Sequence, residues 1–452
     1  MRLLAISASL PVILGLASGA MAASCGGAVM PDSHSGSLPD LEAPTTANTG
    51  APVATCDASI DVNALAPGDP IPAGTIVVYK AQYRGFLDDG DSAHIAVSHD
   101  GVTDSADVSG LIDGDIYFEN YIGSGLNGTI DLGIQLSLLE GGSGVGTTNL
   151  DSLDFAEAGR TTLISQQASV DSLAAQGMTF VTHLNTTADL LVGDDQPLEA
   201  PDSVSLLGAL GSHTLGATAH YNLGGGFSID GGAALFDQEG ASGSLFGGSV
   251  RYLEPGVNTF RPFAEVGFNA APGMNLTFSR SYEDGSKDGA TVLSETSGSM
   301  AGAYVTGGML FAPDLTNQIA FSGTLMHTWL SYDGYTESFS DDNLFNAEVA
   351  GGTGGFDTIK AQIAWTSALS SDLDMTLHAA LGVTHATEGV VTDIAFVGPL
   401  TGTSDDDIFV QYGARLGWAV TPTTTANVFV NGSSGTVSGT HAQIGAGVRI
   451  AF

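Results

Sequence analysis

Apolar and polar residues alternate over long stretches of the C-terminal part of the chain. Leu215, Ala217, Ala219, Tyr221 and Leu223 alternate with Gly216, Thr218, His220 and Asn222. The segments 377–383 and 410–420 follow the same period of two. This period is typical of a β-strand with one apolar and one polar face, and about ten such residues cross a bilayer as a tilted strand. The pattern therefore predicts β-strands long enough to span a membrane.

Alternating segments recur from residue 203 to residue 452 at roughly even spacing. We expect about twelve strands, which start near Val204, Thr214, Phe227, Ser244, Phe260, Gly298, Gln318, Thr358, Leu373, Ile408, Ala426 and His441. Acidic or Gly-rich segments at 281–288, 338–343 and 401–407 suit loops at one rim, and Pro255-Gly256, Pro313-Asp314 and Thr421-Pro422 suit tight turns at the other. The prediction for 203–452 is a transmembrane antiparallel β-barrel whose apolar face contacts lipid.

Residues 152–192 show a different pattern. Apolar residues approach a spacing of three and four, Gly and Pro are scarce, and Asp194-Asp195-Gln196-Pro197 follows. This spacing predicts one or two helices with polar residues among the apolar ones. After the N-terminal segment, no run of about 18 apolar residues occurs, which excludes a helical inner-membrane protein.

The sequence before residue 150 predicts an irregular segment followed by a small β-rich domain. Residues 26–75 are rich in Pro, Gly, Ser and Thr without periodicity. From 75 to 140, β-branched and aromatic runs alternate with Asp-Gly pairs such as Asp100-Gly101 and Asp113-Gly114, which indicate turns. The expected division is 1–22 signal peptide, 23–75 irregular segment, 76–150 β-rich domain, 151–202 helical segment and 203–452 barrel.

The first residues have the composition of a secretory signal. Arg2 precedes an apolar stretch, and Ala20-Met21-Ala22 is a small-x-small site that predicts cleavage between Ala22 and Ala23. Cys25 and Cys56 are the only cysteines, so an oxidising compartment favours one disulfide between them. A lipid-modified Cys25 is the alternative, although the usual leucine three residues upstream is missing.

Composition agrees with a membrane barrel. Hydrophobic residues make up 43% of the chain and charged residues 13%, and there are 62 glycines. Small, uncharged residues suit crowded sheets and a lipid-facing surface. The 49 Asp and Glu residues against 11 Lys and Arg give a net charge of −38, which indicates a solvated acidic surface or, alternatively, divalent-cation binding. Without a basic footprint, no nucleic-acid partner is expected.

Candidate catalytic and metal-binding motifs are weak. Gly90-Asp91-Ser92-Ala93 resembles the serine block of lipolytic autotransporters, but the segment is too short for their α/β domain, and an Asp-Gly turn explains it. Clustered aspartates between residues 88 and 115 could bind calcium, yet the regular calcium loop is missing. The Gly351–Gly355 run has no flanking strand and helix of a phosphate loop. We therefore expect no enzyme, no cofactor and no metal site.

The end of the chain resembles the terminal signal of bacterial outer-membrane barrels. Ile444, Val448 and Ile450 alternate with small or polar residues, and the last residue is Phe452. A final aromatic on such a strand is similar to the signal read by the barrel-assembly machinery. This resemblance implies outer-membrane lipid and that machinery as partners.

The order of signal peptide, secreted segment, helix and barrel resembles the autotransporters of Gram-negative bacteria. Phe260–Phe268 looks like a recurring strand of that family's translocator barrel, and Gly445–Phe452 is similar to its last strand. The resemblance implies a twelve-stranded barrel with the helix of 152–192 in its lumen and the upstream passenger outside. Since the sequence has no Asn-Asn pair, we expect the passenger to stay attached.

Polar lumen positions are the remaining candidates. Arg261, Glu265 and Arg415 lie on the polar face of predicted strands, where charges either contact a central helix or give general lumen polarity. The favoured function is display of the N-terminal domain at the cell surface for adhesion to an unknown ligand. The alternatives are a porin-like channel with a periplasmic N-terminal domain and, third, a secreted enzyme anchored by the barrel.

Overall fold

A computed structural model of the chain describes residues 23–24, 54–61, 74–86, 92–99, 102–109, 111–122, 129–140, 149–192, 198–238, 240–256, 258–284, 287–314, 316–337 and 344–452. The chain divides into two compact units, residues 1–162 and 163–452.

The described part of the first unit consists of two antiparallel sheets. Its strands are β1 (Ala23–Ser24), β2 (Ala54–Asp61), β3 (Thr75–Phe86), β4 (Ser92–His99), β5 (Val102–Ser109), β6 (Leu111–Ile122), β7 (Thr129–Glu140) and β8 (Asn149–Thr162). One sheet has the order β1-β8-β3-β6 and the other β2-β7-β4-β5. The β-branched runs around residues 75–83, 93–97 and 129–134 therefore form β3, β4 and β7.

Three segments of this unit differ from the sequence expectations. β2 lies within the segment expected to be irregular, because Cys56, Ala58 and Ile60 alternate with polar residues and the strand pairs with β7. Asp113-Gly114 is not a turn, since it lies inside β6 opposite Arg84 and Tyr83 of β3. β8 occupies 149–162, so the helical segment begins later than residue 151, because pairing with β3 holds these residues extended.

The second unit is a closed barrel preceded by a helix. Helix α1 spans Leu163–Asp189. The barrel strands are β9 (Ser203–Leu210), β10 (Thr214–Gly224), β11 (Phe227–Gln238), β12 (Ala241–Leu253), β13 (Phe260–Asp284), β14 (Lys287–Phe311), β15 (Asn317–Tyr332), β18 (Gly352–Ala368), β19 (Leu373–Ala386), β22 (Asp407–Thr421), β23 (Thr424–Gly435) and β24 (Gly439–Ala451). Antiparallel pairing of β24 with β9 closes the ring.

The mainly β fold with a twelve-stranded barrel after a helix is thus confirmed. Each expected strand start lies in a separate barrel strand. The one marked difference is at 281–288, where β13 and β14 continue far past their neighbours and the expected loop is mostly strand. Their cross-strand pairing runs as far as Asp284.

The outer surface of the barrel is apolar. Along β22, Val410, Leu416 and Trp418 are exposed, while Gln411 and Arg415 between them are buried inside. Large apolar side chains are exposed in the same way on the other strands, including Leu215, Leu235, Phe268, Leu325, Ile359, Leu381 and Ile444. Alternation in sequence therefore becomes an apolar outside and a polar lumen, the arrangement of an outer-membrane β-barrel. Among the described residues, no helix is long and apolar enough to cross a membrane.

The two rims of the barrel differ. Short turns join β10 to β11, β12 to β13, β14 to β15, β18 to β19 and β22 to β23, and we call this end the short-turn rim. At the opposite end, the loop rim, the longer connections carry β16 (Tyr335–Thr336), β17 (Ala347–Val349), β20 (Val390–Ile394) and β21 (Gly398–Gly402). These four strands form a small sheet in the order β16-β17-β20-β21.

The turn between β14 and β15 shows why a short rim connection forms where the sequence predicts it. The Asp314 carboxylate accepts hydrogen bonds from the Thr316 hydroxyl at 2.6 Å and from the backbone N–H groups of Thr316 and Asn317 at 2.7 and 2.8 Å. These bonds, with the Thr316 hydroxyl contributing most, lower the pKa of Asp314 to about 2. The aspartate after Pro313 therefore holds the turn in place of a longer loop.

The lipid-facing surface gives a first prediction. Leu381 is 60% exposed on the apolar outer face of β19. Leu381→Arg places a charge against hydrocarbon and should lower the free energy of unfolding by about 2–4 kcal/mol. Urea unfolding in lipid vesicles, followed by the heat-dependent gel mobility of folded barrels, measures the loss. Ser371→Arg, in the short turn before β19, is the control and should have little effect; equal losses in both variants would contradict a lipid-facing β19.

Candidate functional site

Helix α1 lies inside the barrel and is the centre of the candidate site. Near its start, Gln167 Nε2 donates to the Thr401 carbonyl of β21 at 2.8 Å, so the helix begins at the loop rim. At its end, Asp189 Oδ2 lies 3.0 Å from Nζ of Lys360, near the middle of β18. The helix therefore enters through the loop rim and ends halfway down the lumen.

The part of α1 as far as Phe180 packs against apolar side chains of the loop rim. Val170, Leu173 and Met178 are almost fully buried, and the ring of Phe180 contacts that of Phe278 edge to face at 5.4 Å. Two glycines permit this approach. A Cβ on Gly402 would lie 2.2 Å from the Val170 carbonyl oxygen, and one on Gly240 would lie 2.6 Å from the Phe180 ring. The long β13–β14 extension and β21 thus form a close-fitting sleeve around the helix.

A buried arginine joins this sleeve to the helix. The Arg280 guanidinium of β13 donates two hydrogen bonds to the Glu337 carboxylate, at 2.6 and 2.8 Å, and both side chains are almost completely buried. It also donates to Oε1 of Gln166 on α1 at 2.8 Å and to the Phe345 carbonyl. Its Cζ lies 4.6 Å from the centre of the Tyr282 ring. We call Arg280 and these partners the outer anchor, because a charge buried here requires every contact it makes.

Below the outer anchor, α1 meets the polar lumen wall. Asn185 accepts a hydrogen bond from Asn269 Nδ2 at 3.0 Å. On another side of the helix, Gln411 Nε2 donates to the Thr186 hydroxyl at 2.9 Å. His183 stacks on His441 with ring centroids 4.5 Å apart. Polar groups thus surround this part of the helix, which explains why it shows no strong apolar face.

The contact between Lys360 and Asp189 forms the inner anchor at the end of α1. Lys360 is buried, and its ammonium reaches the last helical residue. Beyond it, Leu190 packs with Leu207, Ala209 and Phe429 on the wall. The chain continues toward the short-turn rim, where Leu198 packs against Leu253, Phe263 and Leu310. We call α1 and the described residues that follow it as far as Asp202 the plug.

The three charged residues singled out from the sequence all lie on the lumen side. Arg261 is buried and donates to Glu199 of the plug at 2.6 Å. Glu265 accepts from Arg251 Nε at 2.6 Å and from the Tyr304 hydroxyl at 2.8 Å. The buried Arg415 is paired with Asp374 of the neighbouring strand. Arg261 thus has a direct contact with the plug.

The remaining candidates lie elsewhere. Ile444, Val448 and Ile450 face outward on β24, and Phe452 follows the strand with its backbone N–H bonded to the Asp202 carbonyl at 3.1 Å. Ala22 and Cys25 are outside the described residues, and Ala23 and Cys56 lie in β1 and β2 without described side chains. The cleavage site and the disulfide stay predictions. The Gly90-Asp91 pair is outside the described residues, and no side chain of the acidic cluster is described.

Sequence reasoning missed both anchors of the helix. The lumen position of Lys360 could have been predicted, because this residue lies on the polar face of an alternating strand, between the outward-facing Ile359 and Ala361. Arg280 was not, since it borders a segment expected to be a loop. Glu337 lies in an irregular connection without any periodic signal.

Beside the plug, little space remains in the described lumen. One cavity of about 50 Å³ is lined by polar groups such as Arg251, Glu265, Gln318 and Gln362. Among the residues that the structure describes, no three His, Cys, Asp or Glu side chains form a group that could hold a metal ion. The arrangement is suited to holding a helix.

Comparisons with known proteins return barrels of more than one kind. The translocator domain of the autotransporter NalP from Neisseria meningitidis is 14% identical over 63% of this chain and 100% of that domain, with a TM-score of 0.38. The beta domain of the Bordetella autotransporter BrkA is 14% identical over 56% and 100%, with a TM-score of 0.33. The KdgM porin in complex with disordered oligogalacturonate is 10% identical over 55% and 99%, with a TM-score of 0.31.

No family model matches the sequence, and the comparison with curated proteins found no match.

The outer anchor gives a second prediction. Glu337→Leu leaves Arg280 buried without its carboxylate and should cost about 3–5 kcal/mol of stability. Arg280→Met should cost a similar amount. In the double variant neither charge of this pair is left, so its loss should be smaller than the sum of the two single losses. Urea unfolding of the purified protein measures the three values. Strict additivity would show that Arg280 and Glu337 do not depend on each other.

Proposed function

We propose that this chain is an autotransporter-type outer-membrane protein. Its barrel inserts in the outer membrane through the barrel-assembly machinery and displays the residues before α1 at the cell surface. The displayed part stays attached to the barrel and contacts a surface ligand, with adhesion as the favoured role. The role is structural, with no catalytic step.

The direction of α1 is the observation that carries this proposal. In outer-membrane barrels the short turns face the periplasm and the longer loops face the exterior. α1 begins at the loop rim and ends in mid-lumen, and the chain then continues toward the short-turn rim and β9. A chain that leaves the lumen at the loop rim supports an exterior position for the residues that precede Leu163.

The contacts of α1 support a permanent plug over an open channel. The outer anchor, the Asn185 and Thr186 hydrogen bonds and the inner anchor hold the helix at three successive depths. A porin-like channel would need this space for solute. The continuous helix and the missing Asn-Asn pair support an uncleaved passenger.

Surface accessibility of the N-terminal domain is the third prediction. An epitope tag inserted at residues 26–53 should bind antibody on intact cells. The same tag inserted at residues 369–372, in a turn of the short-turn rim, should bind only after the outer membrane is permeabilised. If both tags need permeabilisation, the N-terminal domain is periplasmic and the porin-like alternative gains support.

Pore conductance is the fourth prediction. The full chain in planar lipid bilayers should conduct weakly, because α1 fills the lumen. Deletion of residues 163–189 should raise the single-channel conductance several-fold, since the twelve-stranded wall would remain around an open lumen. Lys360→Gln, which weakens the inner anchor and keeps the helix, is the matched control and should change conductance much less. Equal conductance of the full and deleted chains would show that the helix does not block the pore.

A further inference from the structure

The described Lys and Arg side chains of the barrel unit are directed inward. The unit contains Arg251, Arg261, Arg280, Lys287, Lys360, Arg415 and Arg449. Five of these are buried in the interior, and Arg449 lines a lumen cavity with His220 and Asp230. The side chain of Lys287 is not among those described. The described basic side chains of the barrel unit therefore lie on the lumen wall, together with buried carboxylates such as Asp230, Glu265 and Asp407.

The cations on the barrel wall differ in where their carboxylate partners come from. Arg251 is paired with Glu265 and Arg415 with Asp374, and all four residues belong to barrel strands. Lys360 and Arg261, by contrast, contact Asp189 and Glu199, which belong to the plug. When the plug is not in place, these two cations lose those carboxylates, whereas the other two keep theirs.

The two plug-dependent cations lie at different depths of the lumen. Arg261 is the second residue of β13, next to the short-turn rim, and also donates to the Gly256 carbonyl at 3.3 Å. Lys360 lies near the middle of β18. A chain that enters from the short-turn rim meets the depth of Arg261 before that of Lys360.

The N-terminal part of the chain has the complementary charge. Between residues 23 and 162, Lys80, Arg84 and Arg160 are the only Lys and Arg residues, while Asp and Glu recur throughout. An extended form of this segment therefore offers carboxylates repeatedly to a cation on the wall. In a narrow lumen, such attraction is stronger than on an open surface.

We propose that Arg261 and Lys360 are successive binding positions for carboxylates of the acidic N-terminal segment during its passage through the barrel. Once passage is complete, Glu199 binds Arg261 and Asp189 binds Lys360. The plug therefore contacts the same two cations that the passing chain contacted before. This inference rests on the proposed function and adds the electrostatic basis of the transport step.

The test uses the full chain and the kinetics of surface arrival. An epitope tag within residues 26–53 is followed by pulse-chase labelling and protease treatment of intact cells, and the signal is normalised to the amount of folded barrel. Arg261→Gln combined with Lys360→Gln should slow the arrival of the tag several-fold. The charge-preserving pair Arg261→Lys and Lys360→Arg should restore the rate. Arg251→Gln combined with Arg415→Gln removes the same amount of charge from two arginines that are paired with carboxylates of the barrel strands. This pair should slow the arrival of the tag less than Arg261→Gln with Lys360→Gln.

A second set of variants separates attraction from altered barrel stability. Asp88→Asn, Asp89→Asn and Asp91→Asn together remove carboxylates from the passing segment. These changes should reduce the difference in arrival rate between the wild-type barrel and the barrel with Arg261→Gln and Lys360→Gln. Equal arrival rates for wild-type and Gln-substituted walls overturn the inference and leave the proposed function standing. A difference in arrival rate that the aspartate changes do not alter also overturns the inference. A tag that never reaches the exterior in the wild type overturns both.

Discussion

Pairing of β24 with β9 is the constraint on which the rest of the barrel unit depends. Val448 lies opposite Leu206 and Ile450 opposite Val204, so the last strand of the ring is bonded to the first. A sheet of this kind cannot leave an open edge in hydrocarbon, because each unpaired N–H or C=O costs several kcal/mol there. Closure removes both edges at once. It also determines the inside and the outside of every strand, since the period of two allows only one face to point to lipid.

Closure creates a second requirement, because a ring of twelve strands encloses more space than its own side chains fill. α1 supplies the missing volume, and a helix about 10–12 Å across with its side chains is suited to such a lumen. The wall around it is polar, so the helix has to be polar where it meets the wall. Asn185 and Thr186 hydrogen-bond to the wall in the middle of the barrel, while Val170 and Met178 are buried near the loop rim. The mixed character of the helix therefore reflects two surroundings along one axis.

The sequence was sufficient to predict the barrel but not the fastening of the helix inside it. The alternation of apolar and polar residues is a local property of each segment. It therefore predicts a strand with one apolar and one polar face at Leu215–Leu223 or Val410–Val420, whatever strands lie beside it. The same rule extended to Lys360 would have placed that residue in the lumen.

The outer anchor is different, because Arg280, Glu337 and Phe345 are far apart in sequence and lie beside or within segments that resemble loops. Their meeting depends on how far β13 and β14 extend beyond the other strands, which no local pattern encodes. Residues 149–162 illustrate the same limit, since pairing with β3 rather than their own periodicity makes them a strand.

Charge distribution connects the barrel wall to the helix. A chain with 49 acidic and 11 basic residues cannot neutralise most of its carboxylates internally. Five of its barrel cations are buried inside the lumen, where an unpaired charge costs more than at the surface. Arg251 and Arg415 are paired with the wall carboxylates Glu265 and Asp374, and these two pairs do not involve the helix. Arg261, Arg280 and Lys360 each contact a plug residue, so their best electrostatic environment exists only when α1 and the chain after it are in place. The barrel and its helix are therefore interdependent: the closed wall provides the lumen, and the plug provides the contacts that three of the wall's cations require.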